Sequence, residues 1–187
     1  MSEEPFLEWL KLGKIRIEKG LIIFLDAHNI LLPVRTLLKL QQLLKEKIGE
    51  EKAVEFLKEL GSFQIKQALI RYAKLLGIRT IEKYKFEQLG KHILMILGYG
   101  NYEIKVRYED KRMILQSNNA PIAHEFNLMF GKSEKPIDFY LCGMFQEVGS
   151  CIFGAPMECV ETKCIACGDP YCQFEVFPAE EKKETKT

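Results

Sequence analysis

From Pro33 onward apolar residues recur at helical spacing. Leu37, Leu40, Leu44 and Ile48 mark one face, and Pro33 suits a first turn because its missing N–H has no partner there. A second helix is predicted over residues 50–76, with Val54, Leu57, Leu60, Ala68, Tyr72 and Leu75 on its apolar side, a break at Gly61-Ser62 and a stop at Gly77. A third, over residues 81–97, carries Leu89, Ile93, Ile96 and Leu97 and ends at Gly98 and Gly100. Ahead of these stand a short N-terminal helix candidate and the run LIIFLD (21–26), which reads as a buried strand or as the entry to a helix.

The period then changes. Tyr102, Ile104, Val106 and Tyr108 alternate with Glu103, Lys105, Arg107 and Glu109, the period of two of a half-buried strand. Asp110-Lys111 supplies a turn and residues 112–116 the hairpin partner. Asn118-Asn119-Ala120-Pro121 offers an N-cap and a first-turn proline for a helix to about Phe130. After a polar loop, Pro136 begins an apolar helix that stops at Gly154-Ala155-Pro156, and two strands follow, 157–163 and 171–177. One domain is expected over residues 1–178, with a mobile charged tail over 179–187 that has too little apolar surface to order itself.

Composition narrows the function classes. Of 187 residues 47% are hydrophobic, enough for a sizeable core, and 27 basic against 26 acidic residues leave a net charge of +1. That balance lacks the basic excess with which nucleic acid or an anionic bilayer is gripped, so neither is expected as a partner. No apolar run approaches the roughly 18 residues that span a bilayer, and MSEEP has acids where a secretory signal has bases; the expected location is cytoplasmic.

All six cysteines fall between Cys142 and Cys172. Cytosolic thiols stay reduced, so clustering points to a metal, and the loop Glu161-Thr162-Lys163-Cys164-Ile165-Ala166-Cys167-Gly168-Asp169-Pro170-Tyr171-Cys172 sets thiols and a carboxylate around Gly-Asp-Pro turn chemistry. Zinc takes four such ligands at tetrahedral corners. The other reading of the same thiols is plain packing, because free cysteine is among the most buried residue types; it suits Cys151 and Cys159 better than Cys164 and Cys172. Helical geometry puts Cys142 and Cys151, nine residues apart, about 180° from each other, so only one can face an ion. Strand geometry makes a sharper demand: Cys159 and Glu161 share a face while Cys164 points the other way, so a site using Glu161 and Cys164 requires the chain to turn between them.

The stretch from Gly143 through Gly154 to Glu161-x-x-Cys164, Gly168-Asp169 and Cys172-Gln173-Phe174 resembles the C-terminal signature of the 4-vinyl reductase type domain, a family that includes hydrocarbon-binding proteins and the sensory domains of phenol-responsive activators. The resemblance implies an α/β fold of the α+β type, helices packed on an antiparallel sheet, with a zinc-bound loop near the C-terminus. It also implies an internal pocket for a small apolar or aromatic molecule, and a homodimer. Its metal ligands map onto Glu161, Cys164 and Cys172, with Cys167 a bystander. The upstream ligand falls at Asp138 in an ungapped alignment; Cys142, one turn later, is the preferred fourth ligand for its thiolate, and Asp138 or Cys167 are the alternatives. The ligand-holding histidine and tryptophan of the phenol sensors map near His92 and Asn119, and the missing tryptophan argues against phenol specificity.

Two function classes follow. The first is a zinc-stabilised binding or sensory domain without catalysis. The second is reduction of a vinyl group, or an accessory role in it, against which stands the lack of a dinucleotide fingerprint: Gly98-Tyr99-Gly100 reads as a turn. Three thiolates and a carboxylate would leave no open coordination position, the mark of a structural metal. A third class, an assembly or tethering protein, follows from the distant resemblance to vesicle-tethering (TRAPP) subunits.

Overall fold

The computed structural model describes residues 10–24, 26–76, 90–91 and 93–179. Near the N-terminus a three-stranded antiparallel meander forms from β1 (Ile15–Glu18), β2 (Leu21–Phe24) and β3 (Ala27–Asn29). Residues 21–24 are therefore strand. β1 was not expected, although Lys19-Gly20 between IRIE and LIIF signals it: both residues take positive φ, 50° and 84°, the demand of a two-residue hairpin turn. Ile15 and Phe24 pack with Ile93 in a small core of their own, bordered by Ile96 and Leu97. The chain is helical at 10–11, 90–91 and 93–96; the rest of the N-terminal and third predicted helices, Gly77 and the tail from 180 lie outside the described residues.

Helix α1 (Val34–Ile48) bears out the expected face in part, with Leu37 against the core and Leu44 half-buried, but is turned toward Leu38 and Gln41. Leu38 and Gln41 are its buried residues, with Leu37 packed against the core, while Leu40 and Ile48 are exposed. Gln41 is held inside because its amide donates to the carbonyl of Ile137 at 2.9 Å. Helix α2 (Glu50–Leu76) runs unbroken through Gly61-Ser62. The glycine is there for contact, not for a break: a Cβ on Gly61 would collide with the carbonyl of Tyr140, and one on Gly143 with that of Lys58. Two glycines thus let α2 and the later helix α4 (Phe139–Phe153) touch backbone to backbone, and the hydroxyl of Ser62 donates across the crossing to the carbonyl of Gly143 at 2.9 Å.

The main sheet follows the order β4-β5-β7-β6, antiparallel throughout, from β4 (Glu103–Arg107), β5 (Arg112–Ser117), β6 (Met157–Lys163) and β7 (Cys172–Pro178). Before β6 come α3 (Pro121–Phe130) and α4. The cap of α3 is Ala120, without a side-chain bond, in place of the expected Asn118 or Asn119. α4 begins at Phe139, three residues beyond Pro136, where Asp138 caps it by accepting from the N–H of Leu141 at 3.2 Å, and it stops at Gly154 in the left-handed region. Tyr140, Leu141, Cys142, Met144, Phe145 and Val148 are all buried, so α4 is apolar nearly all round, as a helix sandwiched between layers must be. The sheet covers one side and α2 another, and Gly149 lets the helix settle onto Val176 of β7. Helices on an antiparallel sheet were expected, and that is the architecture found.

Candidate metal centre

β6 is where regular strand geometry fails, and the site depends on that failure. Glu161 pairs with Phe174 but Lys163 pairs with Gln173, a register shift that inserts an extra residue on β6. The bulge re-aims the chain, so Glu161 and Cys164, three residues apart, are both buried, 8% and 0% exposed. The turn demanded from the sequence is present. Cys164 then leads into a 3-10 turn over Ile165–Cys167, which Gly168 closes in the left-handed region at φ 94°. Within it the carbonyl of Cys164 accepts from the N–H groups of Cys167 and Asp169 at 2.9 and 3.2 Å, and the carboxylate of Asp169 accepts from the N–H of Cys164 at 2.8 Å. α3 anchors the turn from outside through Asn127, whose amide donates to the carbonyl of Ile165 at 3.2 Å.

The product is a triad. The ligand atoms of Glu161, Cys164 and Cys172 lie within 4.8 Å of one another, and all three residues are buried. The sulfur of Cys172 accepts from the N–H of Ile165 at 3.3 Å. Glu161 Oε2 accepts from the N–H groups of Ile137 and Asp138, each at 3.0 Å, at the entry to α4. Its other oxygen, Oε1, is buried without a hydrogen-bond partner among the described residues. Leaving a buried acceptor unmade costs about 1–3 kcal/mol, more when it is charged. An orphaned carboxylate oxygen beside two sulfurs is the donor set that a divalent cation completes, and zinc, borderline in softness, accepts thiolate and carboxylate together.

Electrostatics agree with the geometry. Burial, with the charges of Asp138 and Cys164, pushes the Glu161 carboxyl up to about 9. Asp138 is raised to about 7, again by burial first, against the lowering effect of the Leu141 N–H. The Cys172 thiol beside it holds Cys164 down at about 6, and Cys172 rises correspondingly as the partner that keeps the proton. Packing acidic groups together away from water is unfavourable without a cation, and a bound dication inverts that balance.

Among the described residues the other sequence-derived candidates fall outside the group whose ligand atoms all lie within 4.8 Å of one another. Cys142 is buried, and the Cys159 thiol beside it pushes its own thiol up, ahead of burial. Asp138 spends one carboxylate oxygen on its cap. Cys167 is half-buried, its thiol raised to about 11 by burial and by Cys164. Cys151 is exposed. Asn119 is exposed too, its N–H donating to the hydroxyl of Ser117 at 3.1 Å, and His92 lies outside the described residues. Sequence reasoning missed the backbone amides of Ile137 and Asp138 that hold Glu161; their signal is the N-cap Asp138 itself, since a helix entry presents free N–H groups.

The fold and this triad define a class: helices on a four-stranded antiparallel sheet, with a thiol and carboxylate cluster where the last two strands join. Residues 124–178 match the family model of the V-4-R (4-vinyl reductase type) domain, bearing out the resemblance over the segment that carries the triad. The phenol-responsive sensory domain of the transcription activator PoxR, solved with phenol, superposes with a TM-score of 0.77 at 18% identity, covering 98% of this chain and 94% of that one. A trafficking protein particle complex subunit 3 from Naegleria fowleri, covalently bound to palmitic acid, gives 0.54 at 17% identity over 79% of this chain and 91% of that one. A vinyl-4-reductase family protein from Methanocaldococcus jannaschii gives 0.50 at 19% identity over 81% and 85%. No curated protein matches the sequence. Among the described residues no helix is long and apolar enough to cross a membrane.

Proposed function

We propose that the chain is a zinc-stabilised domain that binds a small apolar or aromatic molecule and acts as a sensor of it, without catalysis. The observation that carries this reading is the convergence of Glu161, Cys164 and Cys172, with the orphaned Glu161 Oε1 among them, in a fold shared along nearly its whole length with a phenol-responsive sensory domain. Zinc would be held by Glu161, Cys164 and Cys172, with Cys142 as the proposed fourth ligand and Asp138 or Cys167 as alternatives. When bound it supplies a cross-link between β6, the 3-10 turn and β7, and so couples folding to metal. His92 and Asn119 remain proposed ligand contacts by resemblance alone.

A homodimer and a cytoplasmic setting belong to the same proposal. Ile30, Leu31 and Leu32 are 78%, 85% and 63% exposed, and Phe56, Phe63 and Ile70 repeat at intervals of seven along the outer face of α2. Apolar surface of that extent favours pairing. All six cysteines are free thiols, in keeping with a reducing compartment.

Native mass spectrometry of untreated protein tests the reading. The expected spectrum is a dimer carrying one metal per chain, which takes up added small aromatic molecules saturably. A monomer that takes up neither metal nor any aromatic molecule overturns it.

A further inference from the structure

The crossing with α4 uses only one side of α2. Ala53, Leu57, Gly61 and Ile65 are buried there, each four residues from the last. Phe63 stands two residues from Gly61, about 200° round the helix, and so faces away from α4. It belongs to an outer stripe that advances by alternating steps of four and three: Lys52, Phe56, Glu59, Phe63, Lys66 and Ile70, all exposed. Its apolar members are far from covered, with Phe56, Phe63 and Ile70 at 45%, 63% and 58% exposure. A four-three repeat is the pattern of a helix that packs lengthwise against a second helix.

The order of charges along the stripe decides which helix. Counted from Phe63, apolar residues lie seven before and seven after, whereas a glutamate lies four before and a lysine three after. Glu59 and Lys66 fall on the same flank, about 40° and 60° round the helix from Phe63. The stripe is therefore complementary to its own reverse. Two copies laid antiparallel on a two-fold axis at Phe63 set Phe63 on Phe63, Phe56 on Ile70, and Glu59 beside Lys66 twice, the members of each ion pair within about 1.5 Å of the same height. Laid parallel, the same faces set Glu59 against Glu59 and Lys66 against Lys66, and like charges so placed repel. Lys66 reaches Glu147 of its own α4 at 3.5 Å with 60% of its side chain exposed, which holds the ammonium at the stripe with donors to spare. The run Ile30-Leu31-Leu32 is as exposed, but it lies outside any helix or strand and contains no charge that would set a register.

We propose that α2 is the dimer contact of this protein, pairing antiparallel with α2 of a second copy about Phe63, with Glu59 and Lys66 fixing the direction. This rests on the homodimer in the reading above and adds its surface and orientation.

Sedimentation equilibrium of the metal-loaded full chain, in wild type, Phe63→Glu and Leu31→Glu, tests the surface. Phe63→Glu places two carboxylates on the two-fold axis and is expected to raise the dimer dissociation constant at least about tenfold while the metal content stays unchanged; Leu31→Glu should leave the constant as it is. Disulfide trapping under mild oxidation tests the direction, in a chain whose exposed native thiol is removed by Cys151→Ala. Phe63→Cys is expected to trap a covalent dimer by itself, and Phe56→Cys and Ile70→Cys only when the two are mixed. A dimer that survives Phe63→Glu, one lost equally in Leu31→Glu, or Phe56→Cys trapping with itself as readily as Phe63→Cys each overturns the inference while leaving a dimer in place. A wild type that stays monomeric overturns both and leaves the stripe to a different partner.

Discussion

Glu161 and Cys164 stand three residues apart, a spacing that in a regular strand sends side chains to opposite faces, yet the bulge in β6 buries both on one side with their ligand atoms in reach of each other. Glu161→Gln tests the carboxylate in that arrangement. Glutamine keeps an oxygen for the N–H groups of Ile137 and Asp138 but replaces the orphaned oxygen with an amide NH2, which cannot ligate a cation. The expected outcome is an unchanged circular-dichroism spectrum with metal affinity lowered about tenfold or more in competition with a chelator.

The thiols separate by position. Cys172→Ala removes a triad ligand and is expected to abolish stoichiometric metal and lower the melting temperature. Cys151→Ala alters an exposed residue on α4 and should change neither. Cys142→Ala reads out the fourth position: metal loss comparable to that of Cys172→Ala assigns Cys142, and full retention moves the assignment to Asp138 or Cys167.

The crossing of α2 and α4 has no room for a methyl group. Gly143→Ala drives a Cβ into the backbone carbonyl of Lys58, which cannot swing aside as a side chain can. The expected loss is at the upper end of about 1–3 kcal/mol, measured by urea denaturation. Ser62→Ala should cost about 1 kcal/mol through the lost bond to Gly143.

Three tyrosines among the described residues should resist alkali. Burial raises the phenols of Tyr99, Tyr102 and Tyr140 above the ordinary value of 10. The folded chain then keeps protons that the unfolded chain releases. The stability linked to these groups is fully present below pH 10 and is lost as pH rises beyond it. Phenolate absorbance should show these three ionising only in step with alkaline unfolding, and Tyr140→Phe should remove one of them from the late phase.

Much of the C-terminal half was legible because its signals are local. The strand ending the domain alternates Cys172, Phe174 and Val176 with Gln173 and Glu175 just after a Gly-Asp-Pro turn, and the hairpin turn at Asp110-Lys111 is visible in its composition. What escaped was set by partners distant in sequence. Gly61-Ser62 reads as a helix break until Tyr140 and Gly143 arrive across the crossing. Leu40 and Leu38 are equally apolar, and only packing chooses between them; Gln41 follows inward because Ile137 accepts its amide. The triad of Glu161, Cys164 and Cys172 was readable as residue types, while its condition, the bulge between Glu161 and Lys163, could be demanded from strand parity but not located. Cys142 beside Cys159 is a tertiary fact that spacing along α4 does not contain.

The central claim is a metal held by Glu161, Cys164 and Cys172, and X-ray absorption spectroscopy at the metal edge of untreated protein tests it most directly. The account predicts one zinc per chain in a mixed shell, at least two sulfurs at about 2.3 Å with oxygen at about 2.0–2.2 Å, a third sulfur appearing where Cys142 closes the site. A chain without stoichiometric metal, or one whose metal has no sulfur neighbours, contradicts it.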